Sequence, residues 1–111
     1  MSYNIIPTQK FIKEAKRLVK KYPSLKKELT ELFTQLSEFP KSGIPPGNNA
    51  YKIRVSIKSK GQGKSGGAKV ITYVITEDME VYLLTIYDKS ELDTIDDKTL
   101  KVIINLIKSK Q

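Results

Sequence analysis

Any chemistry performed by this chain falls to lysine, arginine, tyrosine and carboxylates. Its 111 residues include no histidine and no cysteine, which excludes thiolate chemistry, the histidine acid-base pair and the usual transition-metal sites. Six cations, Lys52, Arg54, Lys58, Lys60, Lys64 and Lys69, lie within residues 52–69 with no acid among them, and the acids of the second half gather from Glu77 onward. Such a local positive surface suits a polyanion, and the net charge of +8 agrees. Arginine and lysine stabilise the extra negative charge of a phosphorane-like transition state, and a lysine crowded by other cations can serve as a base. Tyr73 and Tyr87 can stack on a base or hold a phosphate oxygen, with simple sheet packing as the alternative. RNA brings its own nucleophile, the 2′-hydroxyl beside the scissile phosphate. The side chains are therefore sufficient for metal-free RNA cleavage, and no cofactor is expected.

Other motif matches fail on context. Gly61, Gly63 and Gly66 spell G-x-G-x-x-G, but a strand follows where a dinucleotide site needs a helix N-terminus. A kinase glycine loop would sit between strands, but the chain is too short for a kinase and lacks the catalytic-loop sequences. Gly63-Lys64-Ser65 imitates the end of a Walker A loop, but Lys58 stands where that pattern needs glycine. Asp93, Asp96 and Asp97 can in principle bind Mg²⁺, yet at a helix start they better fit capping.

The elements that must position these residues can be read from periodicity. Residues 51–58 alternate strictly, with Ile53, Val55 and Ile57 on one face and Lys52, Arg54, Ser56 and Lys58 on the other. A glycine-rich turn over 60–67 leads to strands at 68–76 and 80–87, joined by a turn at Glu77-Asp78, which predicts a three-stranded antiparallel meander. Upstream, residues 2–6 read as a short extended run closed by Pro7, and Thr8 as a helix N-cap. Phe11, Ile12, Ala15, Leu18, Val19 and Tyr22 mark one helical face; Leu25, Leu29, Leu32, Phe33 and Leu36 mark a second helix between Pro23 and Pro40. The short link makes an αα-hairpin, whose apolar face is expected to cover Ile53, Val55 and Ile57. Residues 41–50 read as a polar loop. A last helix carries Leu100, Val102, Ile103, Ile104, Leu106 and Ile107, more than one face, so it either packs deeply or presents a face to a partner. The expectation is a single α+β domain over residues 1–111. With no apolar run long enough for a signal peptide or a membrane span, a cytoplasmic protein is expected.

The order strand, αα-hairpin, meander, C-terminal helix, with Tyr51-Lys52-Ile53-Arg54, Gly63-Lys64-Ser65-Gly66-Gly67-Ala68-Lys69-Val70-Ile71, Tyr73 and Leu83-Leu84-Thr85-Ile86-Tyr87-Asp88-Lys89-Ser90-Glu91, resembles the RelE/ParE toxin superfamily, within it the HigB-type branch. The resemblance spans nearly the whole chain. It implies the toxin of a type II toxin-antitoxin pair, an endoribonuclease that cleaves mRNA on the ribosome, contacts rRNA, and is inhibited by a cognate antitoxin.

Carried over by position, the resemblance implies that Lys69 stands where the family usually places an arginine against the scissile phosphate, and that Lys89 fills the basic position after the last strand. Lysine at 69 loses the planar bidentate fork and holds phosphate as a point charge. Arg54 and Tyr87 complete the expected catalytic set. Lys52, Lys58, Lys60, Lys64 and Tyr73 are expected to contact RNA. Asp88 departs from the small residue expected there. The rival readings are a gyrase-binding toxin of the ParE branch, a non-catalytic RNA-binding module and a structural ribosome-associated protein. The antitoxin is expected either to cover the surface of residues 52–69 or to engage the final helix.

Overall fold

The computed structural model describes residues 2–41, 43–47, 49–58, 67–88 and 97–108. Its elements are β1 (Asn4–Pro7), α1 (Gln9–Lys21), α2 (Leu25–Glu38), β2 (Ile44–Gly47), β3 (Ala50–Val55), β4 (Ala68–Ile75), β5 (Glu80–Asp88) and α3 (Asp97–Lys108). They form an α+β fold around one mixed sheet of order β1-β5-β4-β3-β2.

Local signals start and stop the helices. Thr8 sits in extended backbone, accepts the Phe11 amide at 3.2 Å and so caps α1. The same hydroxyl donates to the Leu83 carbonyl at 2.9 Å, which ties the helix start to β5. Pro23 follows the C-cap Tyr22, because the proline ring cannot continue the helix. α2 then returns antiparallel, and the hairpin carries the chain from the β1 edge of the sheet to the β2 edge.

β3, β4 and β5 form the expected antiparallel meander, and β1 adds to β5 in parallel. The expected loop over 41–50 instead contains β2, with Ile44 opposite Lys52 and Gly47 opposite Ala50. Two prolines within IPPG disguised it. At a sheet edge, however, a missing N–H costs no ladder bond on the outer side. β3 is also shorter than the predicted run of 51–58, although Ile57 beyond its end is still buried beside Ile53 and Val55. At Gly67 a Cβ would collide with the Val55 carbonyl oxygen, so the close approach of β4 to β3 there requires glycine.

The sheet is covered on both faces. Phe11, Leu18, Leu25, Leu29, Leu32 and Leu36 of the hairpin pack on Ile53, Val55, Val70, Val74, Val81 and Leu83. On the opposite face Leu100, Ile104 and Ile107 of α3 pack with Ala50, Ile71, Tyr73, Leu84 and Tyr87. The final helix therefore does both things its sequence allowed: one stripe is buried, while Val102 and Leu106 are 56% and 59% exposed. Between Ile71 and Thr72 the register against β5 shifts, leaving Leu84 as the extra residue of a β-bulge.

Candidate nucleic-acid interface

Register places three of the four expected catalytic residues in one transverse row. Arg54 lies opposite Lys69, and Lys69 lies opposite Tyr87. Directly opposed residues share a face, so a guanidinium, an ammonium and a phenol span three strands, a width of about 10 Å. The face is fixed by Tyr87, which packs in the α3 cluster, and by Ile53 and Val55, which point the other way into the hairpin cluster. Lys52 occupies the same face one pair further along, opposite Ile71. Exposure is graded across the row: Arg54 is exposed, Lys69 is half-buried and Tyr87 is 5% exposed.

Two cations directly across from one another on neighbouring strands destabilise a sheet. A bound anion that both can reach reverses the sign of that interaction. Arg54 can grip phosphate bidentately, and Lys69 adds a point charge beside it.

The other expected residues are dispersed. Lys58 is exposed just beyond β3, and its backbone amide donates to Glu28 of α2 at 3.1 Å. Glu28 also accepts from Ser24 at 3.1 Å, so the start of α2 tethers the exit of β3. Tyr73 is 6% exposed and pairs with Tyr82 beneath α3. In this arrangement its ring is core, and a base cannot stack on it. Lys60, Lys64 and Lys89 lie outside the described residues, as do Asp93 and Asp96.

Asp88 is fully buried opposite Ala68, on the hairpin face, and accepts a hydrogen bond from the Tyr22 hydroxyl at 3.0 Å. It thus points away from the cation row. Its side chain fastens the end of β5 to the turn between α1 and α2.

Glu14 was not anticipated. Its carboxylate accepts from Thr85 Oγ1 at 2.7 Å and from the Ile86 amide at 3.3 Å, at the bulge of β5, and it pairs with Lys10 at 2.8 Å. One signal was available: Glu14 is the only acid in α1 and lies on the Phe11, Ala15, Leu18 stripe that faces the sheet.

Among the described residues, no group of three or more carboxylates is arranged to hold a metal ion.

The fold is that of the RelE toxins. A doubly substituted E. coli toxin RelE in the free state superposes with a TM-score of 0.62 at 18% identity, over 84% of this chain and 90% of that one. The isolated E. coli RelE toxin gives 0.61 at 15% identity, over 95% and 99%. The toxin-antitoxin complex RelBE of E. coli gives 0.52 at 20% identity, over 78% and 96%. No family model matches the sequence.

Proposed function

We propose that this protein is the toxin of a type II toxin-antitoxin pair, a ribosome-dependent endoribonuclease of HigB type that cuts mRNA and arrests translation. The observation that carries the reading is the Arg54–Lys69–Tyr87 row on a RelE fold. The 2′-hydroxyl of a nucleotide attacks the adjacent phosphorus; its oxygen bonds to phosphorus as the bond to the 5′-oxygen of the next nucleotide breaks. Arg54 and Lys69 stabilise the charge that builds on the phosphoryl oxygens, and Lys89 acts with them. One lysine of the 52–64 group takes the 2′-hydroxyl proton, and the departing 5′-oxygen is protonated. The products carry a 2′,3′-cyclic phosphate and a 5′-hydroxyl, and no metal ion takes part. Tyr87 is too enclosed for free stacking and acts from its place beside Lys69. A few dispersed cations position RNA weakly by themselves, which is a physical reason for the ribosome to present the substrate.

The proposed partners are mRNA and rRNA on the ribosome and a cognate antitoxin; an E. coli RelE binds its antitoxin in the RelBE complex. Among the described residues no helix is long and apolar enough to cross a membrane, which supports the proposed action in the cytoplasm.

The test is controlled induction in a bacterial host, comparing wild type with Lys69→Ala/Lys89→Ala while mapping mRNA 5′ ends. Arrest with new cuts inside translated frames, both lost in the double variant, is the expected result. Arrest without cuts would favour a gyrase-type toxin, and harmless induction would favour a binding module. Recovering 3′-hydroxyl and 5′-phosphate ends would overturn the metal-free mechanism.

A further inference from the structure

Along β5 the side chains change phase once. Val81 and Leu83 face the hairpin while Tyr82 and Leu84 face α3, as a regular strand requires. Past the bulge Ile86 faces the hairpin and Tyr87 faces α3, so Leu83 and Ile86 share a face although they are three residues apart. A strand continuing from Leu83 without the extra residue would set Lys69 opposite Ile86 and Ala68 opposite Tyr87. Tyr87 would then lie under the hairpin, and Asp88 would turn toward the cation row. The bulge at Leu84 is therefore what completes the Arg54–Lys69–Tyr87 row. Local burial does not favour it, since the observed phase puts the Asp88 carboxylate, rather than the Tyr87 ring, opposite Ala68 in the closed layer.

The start of α1 grips the bulge from both sides. Before it, the Thr8 hydroxyl lies 2.9 Å from the Leu83 carbonyl oxygen and 3.2 Å from that of Leu84. After it, one oxygen of Glu14 accepts from the buried Thr85 hydroxyl and from the Ile86 amide, while its other oxygen is held by Lys10. β1 pairs with β5 only as far as Leu83, and just past that point Glu14 takes over as an acceptor. We propose that Glu14 is a positioning residue for RNA cleavage, an inference that rests on the toxin reading above. By bonding Thr85 and Ile86 it locks β5 in the phase that turns Tyr87 onto the face of Arg54 and Lys69. It acts across the sheet, because α1 covers the face opposite the row. Removing the carboxylate leaves two donors at the bulge without their acceptor, and a bulge beside an active site is a general device for aiming a side chain.

The test compares full-length wild type with Glu14→Leu, which removes the acceptor at similar size, and Glu14→Gln, whose amide oxygen keeps it. Nuclear Overhauser contacts between backbone protons of β4 and β5 report the register, and cleavage of mRNA on programmed ribosomes reports activity. Wild type and Glu14→Gln should pair Lys69 with Tyr87, and Glu14→Leu should pair Lys69 with Ile86. The cleavage rate of Glu14→Leu at saturating ribosome should fall about 100-fold, with its half-saturating concentration, and both constants of Glu14→Gln, within about threefold of wild type. Thr85→Val trims one hydroxyl from the same contact and should lose less. Lys69 still opposite Tyr87 in Glu14→Leu overturns the proposal whatever the rate does. So does a loss in Glu14→Gln equal to that in Glu14→Leu. If Glu14→Leu does not fold, Thr85→Val decides, and unchanged cleavage there overturns the proposal. A wild type that cuts no mRNA overturns the nuclease reading instead, and the register of Glu14→Leu then decides the clamp by itself.

Discussion

Val55, Ala68 and Asp88 form one transverse row of the sheet, and Arg54, Lys69 and Tyr87 form the row beside it, facing the opposite way. The strands' period of two separates these rows by a single residue. The first row lies under the helical hairpin, in a layer so closed that its one acid is fully buried and held by Tyr22. The second faces the α3 side, where Tyr87 is enclosed but Arg54 stays exposed. Backbone and strands are the same; the covering layer differs. Two helices seal one face and set the price of any polar group there at a partner. One helix covers the other face incompletely and leaves its end available for an anion.

If the hairpin face supplies stability and the α3 face chemistry, substitutions should separate along that line. The largest effect belongs to Leu83→Ala, which removes a fully buried side chain beneath the hairpin; urea unfolding should show a loss of about 2–5 kcal/mol. Next, Lys69→Ala should lower RNA cleavage about 100-fold or more. Lys69 is half-buried rather than core, so the same variant should lose far less stability than Leu83→Ala in the same assay. A large fall in its unfolding midpoint would show that the row is structural and break the comparison. Tyr22→Phe takes one hydrogen bond from the buried Asp88, and a loss of about 1–3 kcal/mol is expected in the same assay. If cleavage falls while stability holds, the far end of β5 bears on the chemistry more directly than the comparison allows. The smallest effect has the opposite sign. Thr72 is fully buried, and its hydroxyl has no hydrogen-bond partner among the described residues, so Thr72→Val should raise stability by about 1 kcal/mol.

Much of the architecture was legible locally. The Phe11, Leu18 and Leu25, Leu29, Leu32, Leu36 stripes, the Thr8 cap and the Ile53, Val55, Ile57 alternation each depend on residues a few positions apart, and each appears in the fold as read. β2 was hidden because four residues with two prolines have no strand pattern of their own; pairing with β3 makes them a strand. Tyr73 in the sequence fits either an RNA contact or sheet packing, and α3 laid over it places its ring in the core.

By itself, then, the sequence determined which residues make the helices, which make the strands other than β2 and which side chains alternate together, because φ/ψ preference and side-chain period act over a turn or a strand. Only the tertiary structure decided that Arg54 stands opposite Lys69 and Lys69 opposite Tyr87, that Leu84 is the bulge residue, that β1 runs parallel to β5, and that Tyr22 reaches Asp88. Register and layer are settled by burial summed over the whole chain, since a slip of one residue would move every apolar side chain to the wrong face.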